Sequence, residues 1–372
     1  MKITDIEVYF VEVPIRSLEK GGIAPYLGSQ DKVGVTKARS ALFKLVTDEG
    51  IVGWGEMNIF ISPLVMMALL NEYIKPLILG MSPFDIRRIM QKFELIYDPQ
   101  FHIKSLLAGV EVACWDILGK SLGKPIYQLL GGKIRESIPI AYCLGILGIE
   151  ETKDKVSQVK EEGFSTLKTK GGRDTYFDIE RTKAIRKIGG PDFNIRVDMN
   201  QGYDILQTLR FVKAVECLNL EYIEQPLRVN ALDELKSVRQ RTTVPIGINE
   251  DCYVPGNLLR AVKGECIDVA IIDYEPLGGI SEILKIASLI EEANIPLVHH
   301  CGWDLGVKLA AILHVVSALP SFNYPIDSTY FVHEDDVLLE RIPVKNGCYV
   351  PPEGPGLGVE IDEKKVSELS FV

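Results

Sequence analysis

A chain of 372 residues is longer than one ordinary core supports, so it reads as a large domain with a smaller one attached. Its 47% hydrophobic and 25% charged residues are those of a globular protein, and a formal charge of -10 argues against nucleic acid or an anionic membrane as partner. The first residues lack the basic-then-apolar pattern of a secretory leader, no run reaches the roughly 18 apolar residues of a membrane span, and the seven cysteines are scattered without a C-x-x-C pair. Free thiols in a reducing compartment, hence a cytoplasmic location, are expected.

From Met1 to about Thr47 apolar and polar residues alternate as in strands, most clearly at Lys2 to Val11 and Ser40 to Thr47. Asp48-Glu49-Gly50 then turns the chain into Ile51 to Glu56, which predicts a hairpin. Between the first strands, Lys20 to Lys32 holds Gly21, Gly22, Pro25, Gly28 and Ser29, a loop of the length and composition that carries function. Helical spacing follows near Ser62 to Ile78, Pro83 to Ile96 and Ile103 to Leu122, the last with an apolar stripe at Leu106, Val110, Ala113 and Ile117. Trp115-Asp116 inside it is read as structural, a buried aromatic beside an acid that meets a local cation.

After Leu129-Leu130-Gly131-Gly132 the pattern changes, and strands alternate with helices at a period near 26 residues. Helices are predicted at Ile149 to Glu162, Tyr176 to Ile188, Ile205 to Cys217, Ala231 to Arg241, Asn257 to Val262, Ser281 to Ala293 and Leu305 to Ala318. Strands end near Lys170, Asp198, Glu224, Glu250, Asp273, His300 and Asp327; with Ile138 to Cys143 they number eight, enough to close an α/β barrel. The predicted division is an α+β capping domain over 1–130, a barrel over 131–340, and a segment 341–372 returning to the cap.

In such a barrel the active site forms at the carboxyl ends of the strands, so the closing residues carry the argument. Three apolar runs stop on acids, Asp198, Glu224 and Glu250, spaced 26 residues apart. Equal spacing in βα units puts them at equivalent positions, and three converging carboxylates call for a hard divalent cation such as Mg²⁺. Lys168 and Lys170, two apart on one strand, face the same way and are read as catalytic. On later strands Asp273 is expected to accept a hydrogen bond from His300, orienting the ring as a base. Asp327 closes the last strand and is either a hydrogen-bond donor to an enolate oxygen or structural. Cys301, beside His300, is read as a small packing residue.

Together these residues resemble the enolase superfamily, and within it the mandelate racemase and muconate lactonizing enzyme branch. Lys168-Thr169-Lys170 looks like that family's paired-lysine motif, Val197-Asp198-Met199-Asn200-Gln201 like its first metal strand, and Glu224-Gln225-Pro226 like its second. Glu250 matches the third ligand, but Asn249-Glu250-Asp251 departs from the commoner Asp-Glu-Ser, which leaves open whether Asn249 or Asp251 shares that position. Asp273 precedes Gly278-Gly279 as the dyad aspartate does in the racemase-like subgroup, where the muconate lactonizing subgroup has lysine.

The resemblance implies a modified TIM barrel, (β/α)7β, under an α+β cap, with Mg²⁺ and abstraction of the proton α to a carboxylate. It also implies a small carboxylic acid as substrate and a homo-oligomer of barrels. With a β-hydroxyl on the substrate, Lys170 and His300 would dehydrate a sugar acid to a 2-keto-3-deoxy acid; without a leaving group they would racemise or epimerise. The loop Lys20 to Lys32, and Gly53 to Phe60, should close over the mouth, with Tyr26, Leu27 and Asn200 contacting substrate. A barrel that binds a metabolite without turning it over is the reading from another class, and bases on both flanks argue against it.

Overall fold

Alternation at the start of the chain builds an antiparallel sheet of β1 (Ile3–Pro14), β2 (Lys37–Thr47) and β3 (Val52–Asn58), in that order. Our computed structural model describes residues 1–59, 61–94 and 104–372; Phe60, Ile96 and Ile103, which bound predicted segments, lie outside the described residues. The hairpin turn between β2 and β3 runs through Gly50 at φ 76°, where a side chain would be strained. Helix Lys104–Leu122 lies on β3 so closely that a Cβ on Gly55 would stand 1.9 Å from the Gly109 carbonyl oxygen. Ile6, Phe10, Phe43, Leu45, Val110 and Ile117 fill the space between sheet and helix and give the cap its own core. The predicted helix from Ser62 is Pro63–Leu69, continued through a wider turn at Leu70–Ile74 into Lys75–Ile78.

Eight parallel strands form the second domain: β4 (Ile138–Leu144), β5 (Thr166–Lys170), β6 (Asn194–Asp198), β7 (Tyr222–Glu224), β8 (Ile246–Ile248), β9 (Val269–Ile272), β10 (Leu297–His299) and β11 (Ile326–Ser328). Pairing runs from β4 in order to β10, and β11 pairs with β4 on its other edge, so β10 and β11 meet to close the ring without a ladder between them. The strands read as continuous apolar runs because helices cover the outer face while side chains fill the inside. Those helices are Ile149–Glu161, Thr175–Gly189, Ile205–Val215, Leu232–Arg239, Asn257–Lys263, Ile280–Glu292 and Gly306–Ala318. Local chemistry sets their starts: Asp174 accepts from the amides of Tyr176 and Phe177, and Asp204 with Gln207 forms a capping box.

Cap and barrel are joined by buried polar contacts. Glu56, on β3, accepts from the Leu305 and Lys308 amides at 2.7 Å each, and Glu111 accepts from Ile280 and Ser281. Asp116 meets Lys120 at 2.7 Å and also receives the Trp54 and Leu357 amides, while Trp115 is only half-buried and donates to Glu111. The tail sends Cys348–Tyr349 antiparallel to β4 and helix Glu363–Leu369 against β1, where Ser370 bridges Val11. No helix among the described residues is long and apolar enough to cross a membrane.

Candidate active site

Parallel register brings the strand-end charges side by side: Lys170 pairs with Asp198 across β5 and β6, and Asp198 with Glu224 across β6 and β7. The Lys168 ammonium donates to Glu224 Oε1 at 2.9 Å and Asp327 Oδ2 at 2.8 Å, and stands 3.3 Å from Asp198 Oδ2. Lys170 Nζ is 2.6 Å from Asp198 Oδ2. One level down, Arg196 donates to Asp327 Oδ1 at 2.9 Å and lies 5.0 Å over the Tyr222 ring. Asp327 therefore accepts from two cations, one on each oxygen. It does not line the cavity, which favours the structural of its two readings over donation to an enolate.

Charges this dense distort one another's titration. Burial opposes the charge on Asp198, but Lys170 and Lys168 hold its carboxyl well below the usual range. Glu224 is pushed up by burial and then by repulsion from Asp198, and Glu250 is raised by the same two causes. Burial works against Lys168 and Lys170 as well, yet the surrounding carboxylates keep both ammonium groups more firmly protonated than usual.

Glu250 stands apart from the expected triad. β8 ends at Ile248, and Glu250 opens a short 3-10 turn, Glu250–Tyr253, instead of closing the strand. Its Oε1 accepts from Gln201 at 3.2 Å and Asn200 at 3.4 Å, while its Oε2 is buried without a partner among the described residues. The ligand atoms that do come within 4.8 Å of one another belong to Asp198, Glu224 and His300. Asn249 donates through Nδ2 to Tyr253 and the Ile271 carbonyl, and Asp251 accepts from Gln225, Asn230 and Asn257; of the three neighbours Glu250 is the one that lines the cavity.

The expected Asp273–His300 hydrogen bond is absent. Asp273 Oδ2 accepts from Lys308 at 2.8 Å, and Oδ1 caps the short helix Tyr274–Leu277 by accepting from Glu275 N. Lys308, inside helix Gly306–Ala318, was not singled out from sequence, although a lone lysine among Val307, Leu309, Ala310 and Ala311 must find carboxylates if buried. His300 keeps its ring on the cavity, where burial and then Lys168 and Lys170 push its pKa well below the ordinary histidine value. Buried His299 faces away, near Tyr274 and Phe322.

The cavity over these groups measures about 380 Å³, with Lys168, Lys170, Asn200, Glu250 and His300 on the barrel side and Tyr26, Ser29, Gln30 and Asp31 on the loop side. Cys143 and Cys301 also line it, their sulfurs 3.8 Å apart. The loop is held shut by Arg173, three residues after Lys170, whose guanidinium donates to the carbonyls of Ser29 at 2.8 Å, Gly28 at 2.6 Å, and Asp31. Gln30 adds a bond to the Asn200 carbonyl at 3.0 Å. Tyr26 packs edge-on against Trp303 with centroids 5.0 Å apart, whereas Leu27 does not line the cavity and is tied through its carbonyl to Ile146. Beyond Asp198, Asn200 and Gln201 take φ of 41° and 65°, and Gln225 takes 37° after Glu224. Left-handed backbone at such residues costs energy and tends to gather at functional sites.

Two family profiles match the chain: the N-terminal domain of mandelate racemase / muconate lactonizing enzyme over residues 29–131, and the enolase C-terminal domain-like family over residues 151–365. The chain belongs to the mandelate racemase / muconate lactonizing enzyme family of the enolase superfamily. Among its relatives in that family, arabinonate dehydratase of Saccharolobus solfataricus is 31% identical, covering 86% of this chain and 87% of its own. N-succinyl-L-Arg/Lys racemase of Bacillus cereus is 28% identical over 100% of this chain and 98% of its own. The crystal structure of that racemase superposes with a TM-score of 0.92, covering 100% of this chain and 99% of the other. Family membership makes the protein an enzyme of the superfamily, whose general mechanism is Mg²⁺-dependent proton abstraction, and its family relatives include both dehydratases and racemases.

The donor set of this family member suits a hard divalent ion. Asp198 and Glu224 offer carboxylate oxygens, and Glu250 Oε2 is buried without a hydrogen-bond partner among the described residues. Glu224 is raised by burial and then by repulsion from Asp198, although its Oε2 lies 2.7 Å from the Lys168 ammonium. The lysines supply the positive charge that such a cluster requires.

Proposed function

We propose that this protein catalyses Mg²⁺-dependent abstraction of the proton α to a carboxylate, and that its reaction is dehydration of a sugar acid to a 2-keto-3-deoxy acid. The observation that carries the reading is the presence of two differently charged proton carriers, Lys170 and His300, on one cavity, with the buried Asp198–Glu224 pair against them, 2.6 Å from Lys170 at Asp198 and within 4.8 Å of His300. Asp198, Glu224 and Glu250 would hold the ion, which when bound draws charge from the substrate carboxylate and so makes the α-proton removable.

The chain's own groups divide the remaining work. His300 makes no hydrogen bond to a carboxylate among the described residues and is kept neutral by burial and the nearby ammonium groups, so its ring is the unprotonated group on the cavity. Lys170 is held protonated on Asp198, so it is the group on the cavity that carries a proton. On a 2,3-dihydroxy acid, loss of the α-proton to one group and protonation of the departing 3-hydroxyl by the other breaks the C–H and C–O bonds, releases water and leaves the 2-hydroxyl on the new double bond. The enol that remains tautomerises to the 2-keto acid. Arg173 and Gln30 keep the loop closed, which excludes bulk water while the anionic intermediate exists.

A second reading, racemisation or epimerisation, is favoured by the same pair, because proton carriers across the mouth from each other can remove and return a proton on opposite faces. Incubating the Mg²⁺-loaded protein with a carboxylic-acid library in D₂O separates the two: water loss marks dehydration, and deuterium at an inverted centre marks epimerisation. Absence of both from every acid sinks the proposal.

A further inference from the structure

Charge is distributed unevenly around the cavity. Among the described residues lining it, the lysines are Lys168 and Lys170, and both stand on the barrel side against Asp198. The loop side carries one charge, and it is negative: Asp31. That carboxylate is fixed to its wall, since Oδ2 accepts from the Gly28 amide at 2.7 Å and the Asp31 carbonyl is gripped by Arg173. Arg173 itself gives no countercharge to the cavity, because its guanidinium is committed to three backbone carbonyls and it is not a lining residue.

We propose that the substrate carries a single carboxylate and a neutral, hydroxylated tail, an aldonate rather than an aldarate or an acid with a second anionic arm. The inference rests on the α-proton reaction above only in placing the substrate carboxylate at the Asp198–Glu224 end. The tail then meets Tyr26, Ser29, Gln30, Asp31 and Thr329, whose side chains offer hydroxyl, amide and carboxylate partners to sugar hydroxyls. A second carboxylate there would face Asp31 without compensation. Two like charges about 5 Å apart near a protein surface repel strongly enough to weaken binding about tenfold. Size points the same way, since about 380 Å³ lies near the lower end of ligand pockets, and Trp303 against Tyr26 walls off the far side.

The test is affinity for matched acids, measured by calorimetry on the Mg²⁺-loaded protein: gluconate and galactonate against glucarate and galactarate. Aldonates are expected to bind about tenfold more tightly than the aldarates of matching stereochemistry. Asp31 is exposed on the loop, so its variants retain the fold. Asp31→Asn should shrink the difference and Asp31→Lys should reverse it. Aldarate binding equal to or tighter than aldonate binding, no measurable binding of either aldonate, or a ratio unmoved by Asp31→Lys overturns the inference. Turnover in D₂O is scored separately: aldonates that bind selectively yet neither lose water nor exchange deuterium would defeat the proposed reaction and leave this assignment standing.

Discussion

Two buried lysines in this protein each gather three carboxylates, and they make different things of them. Lys168 lies between Glu224, Asp327 and Asp198 at the barrel mouth; Lys308 lies between Asp273, Glu275 and Asp304 at 2.8, 2.9 and 2.9 Å, with Asn58 of the cap at 2.8 Å. Both ammonium groups are fully buried and held protonated by their acids against the cost of burial. The first cluster borders the cavity through Lys168, Lys170 and Glu250, while none of the second cluster's members lines it. Charge pattern alone does not mark a reactive centre. Access to a cavity does; a spare oxygen does not decide it, because Glu275 Oε1 in the second cluster is also buried without a hydrogen-bond partner among the described residues.

The sharpest way to break this comparison is to remove each ammonium. Lys308→Met leaves three acids buried without their cation and should cost about 3–5 kcal/mol in urea denaturation, with or without Mg²⁺. Lys168→Met should destabilise the metal-free protein comparably, but Mg²⁺ should restore its Tm, because an ion can replace the lost charge at the mouth. Rescue of both variants, or of neither, would erase the distinction.

Catalysis should follow the mouth alone. Lys170→Ala and His300→Asn should each lower kcat by about 10²- to 10⁴-fold, with Tm little changed when Mg²⁺ is present to offset the charge lost beside Asp198, measured by turnover and thermal melting in Mg²⁺ on the acid identified in D₂O. Unaltered kcat in either variant removes that residue from the chemistry.

A third comparison uses pH. Burial raises Glu56 to about 8, Glu275 to about 7 and Asp304 to about 6, from ordinary values of 4.5, 4.5 and 3.8. At these three groups the folded protein holds protons that the unfolded chain has already released, so their contribution to stability falls as pH rises from about 4 to 8. Burial keeps His299, His314 and His333 neutral and gives the opposite slope up to about 6.5, so the net fall is expected above that pH, where Glu56 is the group still titrating. Glu56→Gln, which cannot ionise, should flatten the upper part of that fall in denaturation series at pH 5, 6, 7 and 8. An equally steep series would show that Glu56 is ionised throughout.

The smallest effect concerns the loop. Arg173→Ala removes hydrogen bonds to three loop carbonyls and should raise KM several-fold with a smaller change in kcat, each such bond contributing about 1 kcal/mol. Faster tryptic cleavage within residues 20–32 is expected alongside.

Much of the architecture was legible because buried parallel strands leave a strong mark: short apolar runs that end on a charge and recur every 26 residues. Lys168, Lys170, Asp198 and Glu224 fall where strand alternation and equal spacing put them. The departures have tertiary causes. Asp273 was assigned to His300 from strand adjacency, and Lys308, 35 residues further along on a helix, takes it instead. Glu250 reaches the mouth from a 3-10 turn and not from the strand end, because β8 stops two residues earlier, a boundary that no hydrophobic period records. Arg173 was invisible as a latch, since its partners are backbone carbonyls and carry no side-chain signature.

The shortness of the segment from Lys170 to Arg173 couples two events. Its near end holds a proton carrier on Asp198 and its far end grips the loop backbone. Gly171 and Gly172 between them are packed against Met199 and Gly202, so placing the amine and anchoring the loop depend on the same four residues.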